Sequence, residues 1–267
     1  MITTVRGALN TKLALSRLGE GRPVILQHGL CGDAAQPAQV FPFDEGHQCL
    51  TLECRGHGQS EAGNPSAFSI PAFTDDLATA IEDRRLGMCV VGGISMGAAM
   101  ALRLTVTRPD LVSALILARP AWLTDPAPQN MAPNAYVGEL LRDYPAQEAR
   151  RHFETSSIAA ELSRYAPDNL ASLRSFFSRE PGSVTSRLLL SISGSGPGIT
   201  ENDIRSITVP TLIVACERDM VHPIAYGREL ASLIGHAQFV EITPKATNPD
   251  AYRNDFRAAL SSFLKGL

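Results

Sequence analysis

The chain has 267 residues, of which 44% are hydrophobic and 19% are charged, and its formal net charge is -3. A chain of this length and composition can bury a large core, which excludes a disordered protein and favours one large α/β domain. Because Lys and Arg form no run, no nucleic-acid or membrane partner is expected, and a small-molecule substrate is expected instead.

Targeting signals and cysteine spacing narrow the class of protein further. The N-terminus lacks the pattern of a signal peptide and no long apolar run is present, which predicts a cytoplasmic protein. The five cysteines are scattered without a C-x-x-C pair, so reduced core cysteines are expected rather than disulfides or a zinc site. Nothing in the sequence indicates the oligomeric state.

Short apolar runs alternate with helical patterns along most of the chain. The runs at 12–16 and 23–27 flank a Gly-Glu-Gly turn, as in a hairpin. Further strands are predicted at 49–53, 88–92, 114–117, 211–216 and 239–242, and helices at 70–83, 95–107, 224–234 and 255–264. Such alternation is typical of a doubly wound, mostly parallel sheet that has helices on both faces.

The alternation stops between 120 and 208. This stretch shows no convincing strand, and helical patterns at 134–143, 146–154 and 170–177 follow one another. We therefore expect residues 120–208 to form a helical cap inserted into a core made of 1–119 and 209–267, all within one structural domain. Caps of this kind usually carry the side chains that select a substrate.

A serine lies where a strand is predicted to turn into a helix. The sequence Gly-Ile-Ser-Met-Gly at 93–97 follows the apolar run at 88–92 and precedes the helical pattern. Glycines on both sides of Ser95 permit a tight turn, which would lift its hydroxyl above the strand end as a nucleophile. An ordinary Gly-rich turn between a strand and a helix is the alternative interpretation.

The segment Gln-His-Gly-Leu-Cys-Gly at 27–32 follows the first buried strand. If Ser95 attacks a carbonyl carbon, an oxyanion develops, and the backbone N–H groups of Leu30 and Met96 are the natural pair of donors. Gly29 removes side-chain bulk from the approach to these donors.

Together with a third Gly-rich turn, Arg-Gly-His-Gly-Gln-Ser at 55–60, these segments resemble the capped, serine-nucleophile branch of the α/β-hydrolase superfamily. That branch includes esterases, lactonases, C–C bond hydrolases and haloperoxidase-like proteins. The resemblance implies the α/β-hydrolase fold with a helical cap and Ser95 as the nucleophile. It also implies that His28 and Gly29 shape the oxyanion and substrate-binding segment, and that His57 is mainly structural.

The resemblance further implies that the catalytic acid follows the strand after the cap, where Asp219 matches. A carboxylate in that place orients a histidine and stabilises its imidazolium form. The alternative is that Asp219 caps the N-terminus of the following predicted helix.

One departure from the family concerns the catalytic histidine, which lies after the last strand in the relatives. Here the loop at 243–249 reads Thr-Pro-Lys-Ala-Thr-Asn-Pro and contains no histidine, while His47 and His236 precede strands and belong at the opposite edge. His222 is the best substitute, because it stands three residues beyond Asp219 and an imidazole can accept a proton near neutral pH. A pocket-lining or helix-start role is the alternative for His222.

A lysine offers a second candidate base, because Lys245 stands near the position of the missing histidine and a desolvated lysine can act beside a serine. Replacement of a histidine at 246–248 is a further possibility. The sequence thus predicts a serine hydrolase of a small ester or lactone, with no cofactor and no metal. The alternatives are a non-catalytic small-molecule-binding relative and a cofactor-free lyase or oxygenase on the same scaffold.

Overall fold

The structure, a computed structural model, describes residues 1–43 and 46–267, apart from the side chain of Leu9. Its described strands form one eight-stranded sheet in the order β1-β2-β4-β3-β5-β6-β7-β8. The strands are β1 Ile2–Arg6, β2 Lys12–Leu18, β3 Arg22–Gln27, β4 His47–Leu52, β5 Cys89–Ile94, β6 Val112–Ala118, β7 Thr211–Ala215 and β8 Gln238–Glu241. From β4 to β8 every neighbouring pair is parallel, which confirms the predicted doubly wound, mostly parallel sheet.

The predicted hairpin at the start of the chain is wrong. β2 pairs in antiparallel fashion with β1 on one side and with β4 on the other, while β3 pairs in parallel with β4 and β5. β4 therefore lies between the two runs that flank the Gly-Glu-Gly turn. The turn still reverses the chain, but β4 pairs with both runs, in antiparallel fashion with β2 and in parallel with β3. β1 was not predicted.

The described helices occupy the segments between these strands. They are α1 Ala35–Ala38, α2 Ile70–Asp83, α3 Met96–Thr107, α4 Ala132–Asp143, α5 Ala146–Glu154, α6 Ser157–Tyr165, α7 Pro167–Phe176, α8 Gly182–Ser193, α9 Glu201–Arg205, α10 Ile224–Leu233 and α11 Pro249–Lys265. Helices α4 to α9 all lie between β6 and β7, with no strand among them. None of the described helices has both the length and the apolar character needed to cross a lipid bilayer.

Both faces of the parallel strands are buried, which explains their nearly continuous apolar sequences. In β6, Leu115 and Leu117 belong to the core on one face, whereas Ile116 packs on the other face. Side chains alternate across a strand, so a strand covered by helices on both sides needs apolar residues at successive positions. The second core is covered by α11, through side chains such as Phe256.

The strand order opens a crevice between β3 and β5. The chain passes from β3 outward to β4 and then returns to place β5 on the other side of β3. At such a reversal the loops that leave the carboxyl ends of the two central strands diverge, and ligands of open α/β sheets bind there. The segment at 27–32 leaves β3 at this point, and Ser95 follows β5.

The tight turn after β5 depends on a close backbone approach at Gly93. A Cβ atom added there would overlap the carbonyl group of Gly97, which is backbone and cannot swing away. We expect Gly93→Ala to lower the free energy of unfolding by about 2 kcal/mol, as overpacked core positions do. Denaturant unfolding measures this change. Gly182→Ala is the matched control, because a Cβ at Gly182 meets no atom within 4 Å, and an equal loss there would contradict the prediction.

Candidate active site

Ser95 stands between β5, which ends at Ile94, and α3, which begins at Met96. Its φ of 57° and ψ of -111° lie outside the regions that L-residues prefer, so the turn holds it in a strained conformation. Its backbone N–H donates to the carbonyl oxygen of Ala118 on β6, at 2.9 Å. The side chain lines a cavity of about 90 Å³ at the carboxyl ends of the strands. We call this space the Ser95 cavity.

Two backbone amides beside Ser95 have no hydrogen-bond partner within the described residues. They belong to Leu30, which lines the Ser95 cavity, and to Met96, the first residue of α3. The first amides of a helix have no partner in the helix itself, and the helix dipole favours negative charge near them. Gly29 donates its own N–H to Gln36 Oε1 at 2.6 Å, which fixes the segment before Leu30. The site thus contains two donors beside the hydroxyl.

The structure places the His28 ring away from the cavity. The ring is fully buried, with Nε2 accepting from the N–H of Cys54 at 3.0 Å and Nδ1 donating to the carbonyl oxygen of Gly29 at 2.8 Å. Both ring nitrogens are hydrogen-bonded inside the protein. The expectation that the His28 side chain belongs to the substrate-binding segment is therefore wrong. Burial lowers the pKa of His28, so the ring is neutral and suited to accept from an amide.

His57 has the structural position that the resemblance implies. Its Nε2 accepts from the N–H of Cys31 at 2.9 Å, and Nδ1 donates to the carbonyl oxygen of Arg55 at 3.0 Å. The bond to Cys31 anchors the residue that follows Leu30. Burial also raises the pKa of the Cys31 thiol to about 12, so this thiol is protonated at neutral pH and is a poor nucleophile.

Asp219 follows β7 and is almost completely enclosed. Its Oδ2 accepts from Arg119 Nε at 2.6 Å, and its Oδ1 accepts from Asn169 Nδ2 at 3.0 Å. Burial opposes ionisation, but Arg119 and His222 outweigh it and hold the pKa of Asp219 well below its usual range. Asp219 is thus a carboxylate with a fixed orientation. It does not cap α10, whose N-cap residue is Pro223.

His222 is oriented by Asp219. Its Nδ1 lies 2.8 Å from Asp219 Oδ1 and 3.0 Å from Oδ2, and its backbone N–H donates to the same carboxylate at 3.0 Å. A carboxylate beside Nδ1 keeps the proton on that nitrogen, which leaves Nε2 as an acceptor. His222 and Ser95 line the same cavity, and no direct hydrogen bond joins them. A general base can also act on a hydroxyl through one water molecule.

Arg119 connects the acid to the strand beside Ser95. It directly follows β6, which lies between β5 and β7 in the sheet, so its side chain reaches Asp219 from the side of Ser95. It also donates to Asp168 Oδ2 at 3.2 Å, and its guanidinium lies 5.7 Å from the centre of the Tyr252 ring. Sequence reasoning missed Arg119, although its position at the carboxyl end of a central strand was a usable signal.

Lys245 lies in the loop after β8 and lines the Ser95 cavity. Loss of surrounding solvent, followed by repulsion from Arg119, lowers the pKa of its ammonium group. The structure therefore brings both candidate bases, His222 and Lys245, to the same cavity. Only His222 is held by a carboxylate, because no ion pair involves Lys245 in the part of the chain that the structure describes.

Helices between β6 and β7 form the opposite wall of the Ser95 cavity. Asn134 comes from α4, and Asn169, Leu173 and Phe176 come from α7. Of the aromatic residues in this segment, Phe176 alone lines the cavity. Sequence reasoning did not identify the two asparagines, because a helical pattern shows which face is apolar and not which polar residue faces a cleft. Among residues 1–43 and 46–267, no cluster of His, Cys, Asp or Glu could hold a metal ion.

Comparison with known proteins agrees with this architecture. The family model described as the α/β hydrolase fold matches residues 22–246. Over 239 residues the chain is 28% identical to the BpoC protein of Mycobacterium tuberculosis strain H37Rv, covering 86% of this chain and 88% of the relative.

Solved structures of two enzymes share the fold. An esterase from Exiguobacterium antarcticum superposes with a TM-score of 0.77 at 18% identity, covering 99% of this chain and 100% of that one. The enol-lactonase from Burkholderia xenovorans LB400 superposes with a TM-score of 0.74 at 21% identity, covering 98% and 100% of the two chains.

Proposed function

The chain belongs to the α/β hydrolase fold family, and on that premise we propose that it is a serine hydrolase of a small ester, lactone or related acyl compound. One observation carries the proposal. Ser95, held in a strained turn at a strand end, shares a cavity with His222, whose Nδ1 is bound by the Asp219 carboxylate. A nucleophile, a base and an orienting acid are the three groups that acyl transfer needs.

In the first half of the proposed reaction, Ser95 Oγ attacks the substrate carbonyl carbon while His222 Nε2 takes the hydroxyl proton. The carbonyl oxygen becomes an oxyanion, which the N–H groups of Leu30 and Met96 stabilise. When the tetrahedral intermediate collapses, the bond from carbon to the leaving oxygen breaks. His222 gives its proton to that oxygen, the alcohol departs, and Ser95 carries the acyl group.

The second half repeats the sequence with water. His222 takes a proton from a water molecule that attacks the acyl carbon, and the same two amides stabilise the oxyanion. The bond to Ser95 Oγ then breaks, His222 returns a proton to the serine, and a carboxylic acid leaves. In a lactone the leaving oxygen remains attached to the product. Residues 120–208 act as the cap in this proposal, since α4 and α7 form the wall that faces the acyl group.

The base is tested by labelling with a fluorophosphonate, which reacts with an activated serine. We expect one label per chain, on Ser95, as measured by mass spectrometry. His222→Gln is expected to slow labelling at least about a hundredfold, because it removes the general base. Lys245→Met is the matched control and should change the rate only a few-fold, since no carboxylate orients that lysine.

Two results would contradict the proposal. If Ser95 resists the probe and no ester in a broad panel is turned over, the chain binds small molecules without acyl-transfer chemistry. If Lys245→Met abolishes labelling and His222→Gln does not, the base is the lysine and the role assigned to His222 is wrong.

A further inference from the structure

Asn134 has an amide group without a protein partner. Its side chain is 5% exposed, lines the Ser95 cavity and makes no hydrogen bond to any described residue, while its Oδ1 is shut off from solvent. Buried polar groups are nearly always paired, because an unpaired one loses its hydration without compensation. Because Oδ1 is closed off from the cavity as well, a ligand group in the cavity can reach this amide through Nδ2, which also has no partner among the described residues.

The contrast with Asn169 on the same wall supports this reading. Asn169 donates to Asp219 and accepts from the N–H groups of Met220 and Val221, so its amide serves the structure of the site. Asn134 lines the same cavity from α4, and its amide makes no such hydrogen bonds to the described residues. The two asparagines therefore differ in role, one holding the acid and the other left for a ligand.

The size of the Ser95 cavity limits what the ligand group can be. Its volume of about 90 Å³ is several times the roughly 10–15 Å³ that one water molecule needs by the same measure. A short acyl chain with one small substituent fits this space.

The Asn134 amide itself indicates a neutral substituent, because a carboxamide carries no charge. The Arg119 guanidinium at the same cavity is already paired with Asp168 and Asp219. A hydroxyl is neutral, and it both donates and accepts, so it pairs with the Asn134 amide whichever way that amide is turned.

We propose that Asn134 is a specificity-determining residue that hydrogen-bonds a hydroxyl group on a short acyl substrate. The preferred substrates are then esters of short hydroxy acids, or lactones that carry a further free hydroxyl, selected over the matching compounds without that hydroxyl. This inference rests on the proposed hydrolase function and adds the class of acyl group that the same site takes. A site built to bond a hydroxyl rejects the analogue that lacks it, because its own polar group is then left unpaired.

The test compares kcat/KM for 4-nitrophenyl esters of butyrate, 2-hydroxybutyrate and 3-hydroxybutyrate in the wild type and in Asn134→Leu. Leucine matches the shape of asparagine but forms no hydrogen bond. We expect the preference for at least one hydroxy ester over butyrate to fall about tenfold in the variant. Comparing one ratio between two proteins cancels the different intrinsic reactivities of the esters.

Thermal unfolding provides the second measurement, because removal of an unpaired buried amide should not destabilise the fold. Asn202→Leu, an exposed substitution on α9, is the matched control for adding a leucine. A preference that survives in Asn134→Leu would overturn the inference. So would a melting temperature more than about 5 °C below that of the control, since the amide would then serve the fold.

The outcomes also separate this inference from the proposed function. If the wild type turns over all three esters through Ser95 and Asn134→Leu leaves the preference among them unchanged, the hydrolase function stands and the role of Asn134 is refuted. If no ester is turned over and Ser95 does not react with the fluorophosphonate, the hydrolase function and the role of Asn134 are both refuted.

Discussion

Replacement of Ser95 by alanine is expected to lower kcat for a short ester by at least about 10⁴-fold, because the attacking oxygen is lost while the two amides remain. Steady-state turnover of 4-nitrophenyl butyrate measures the change. Ser95→Gly should lose the same activity but raise the free energy of unfolding by about 1 kcal/mol relative to alanine, since glycine adopts a φ of 57° without strain.

Comparing these two variants distinguishes the effect of the Ser95 hydroxyl on activity from the effect of the backbone conformation at residue 95 on stability. Loss of activity in both, with a stability difference between them, agrees with a nucleophile held in a strained turn. Unchanged turnover in Ser95→Ala would remove serine chemistry from the proposal and favour a lyase or oxygenase reaction on the same scaffold. Equal stability of the two variants would show that the turn stores no strain at this residue.

Asp219→Asn is expected to damage both activity and stability. An asparagine amide can donate to His222 Nδ1, which favours the wrong tautomer, and in a comparable enzyme this change costs about 10⁴-fold in kcat. Arg119 would also lose the carboxylate that lies 2.6 Å from its Nε, and breaking a buried ion pair costs about 3 kcal/mol. Kinetics and denaturant unfolding measure the two effects. Asp143→Asn, in an exposed pair with Arg142, is the control and should change neither.

The stability effect of Asp219→Asn depends on pH in a defined direction. The Asp219 carboxyl has a folded-state pKa below its unfolded value of about 3.9, so ionisation stabilises the fold fully above that value. As the pH falls below about 4, the stabilisation declines toward the folded-state pKa. The difference between wild type and variant should therefore be constant from pH 7 to about 5 and shrink below about 4. A difference that vanishes already at pH 6 would contradict this assignment.

The sequence identified the parts of the fold that depend on local patterns. The apolar runs located the buried strands, because a strand covered on both faces shows them directly, and the glycines around Ser95 marked the turn after β5. The pairing of β2 and β3 was predicted wrongly, because which strand inserts between two others is decided by long-range packing. The helices α1, α6, α8 and α9 were not among those predicted.

The candidate site was foreseen only in outline. The Gly-rich turn marked Ser95, and the family resemblance assigned Asp219. The rule that strand ends meet at one edge of the sheet selected His222, and the structure brings Ser95 and His222 to one cavity with His222 bound to Asp219. The orientation of His28 could not be read in advance, because whether a ring faces a cleft or a neighbouring strand depends on tertiary contacts. Asn134 was missed for a similar reason, since its unpaired amide is visible only once every possible partner has coordinates.

The position of Arg119, directly after the strand that lies between those leading to Ser95 and Asp219, also bears on how the site responds to dissolved salt. Dissolved ions weaken attractions between charges that water surrounds, and they act much less on charges enclosed by protein. The contact between Arg119 and Asp219 is enclosed, whereas pairs such as Arg174 with Glu154 lie at the surface. Added salt therefore weakens the exposed ion pairs of the outer helices more than it alters the field that His222 experiences.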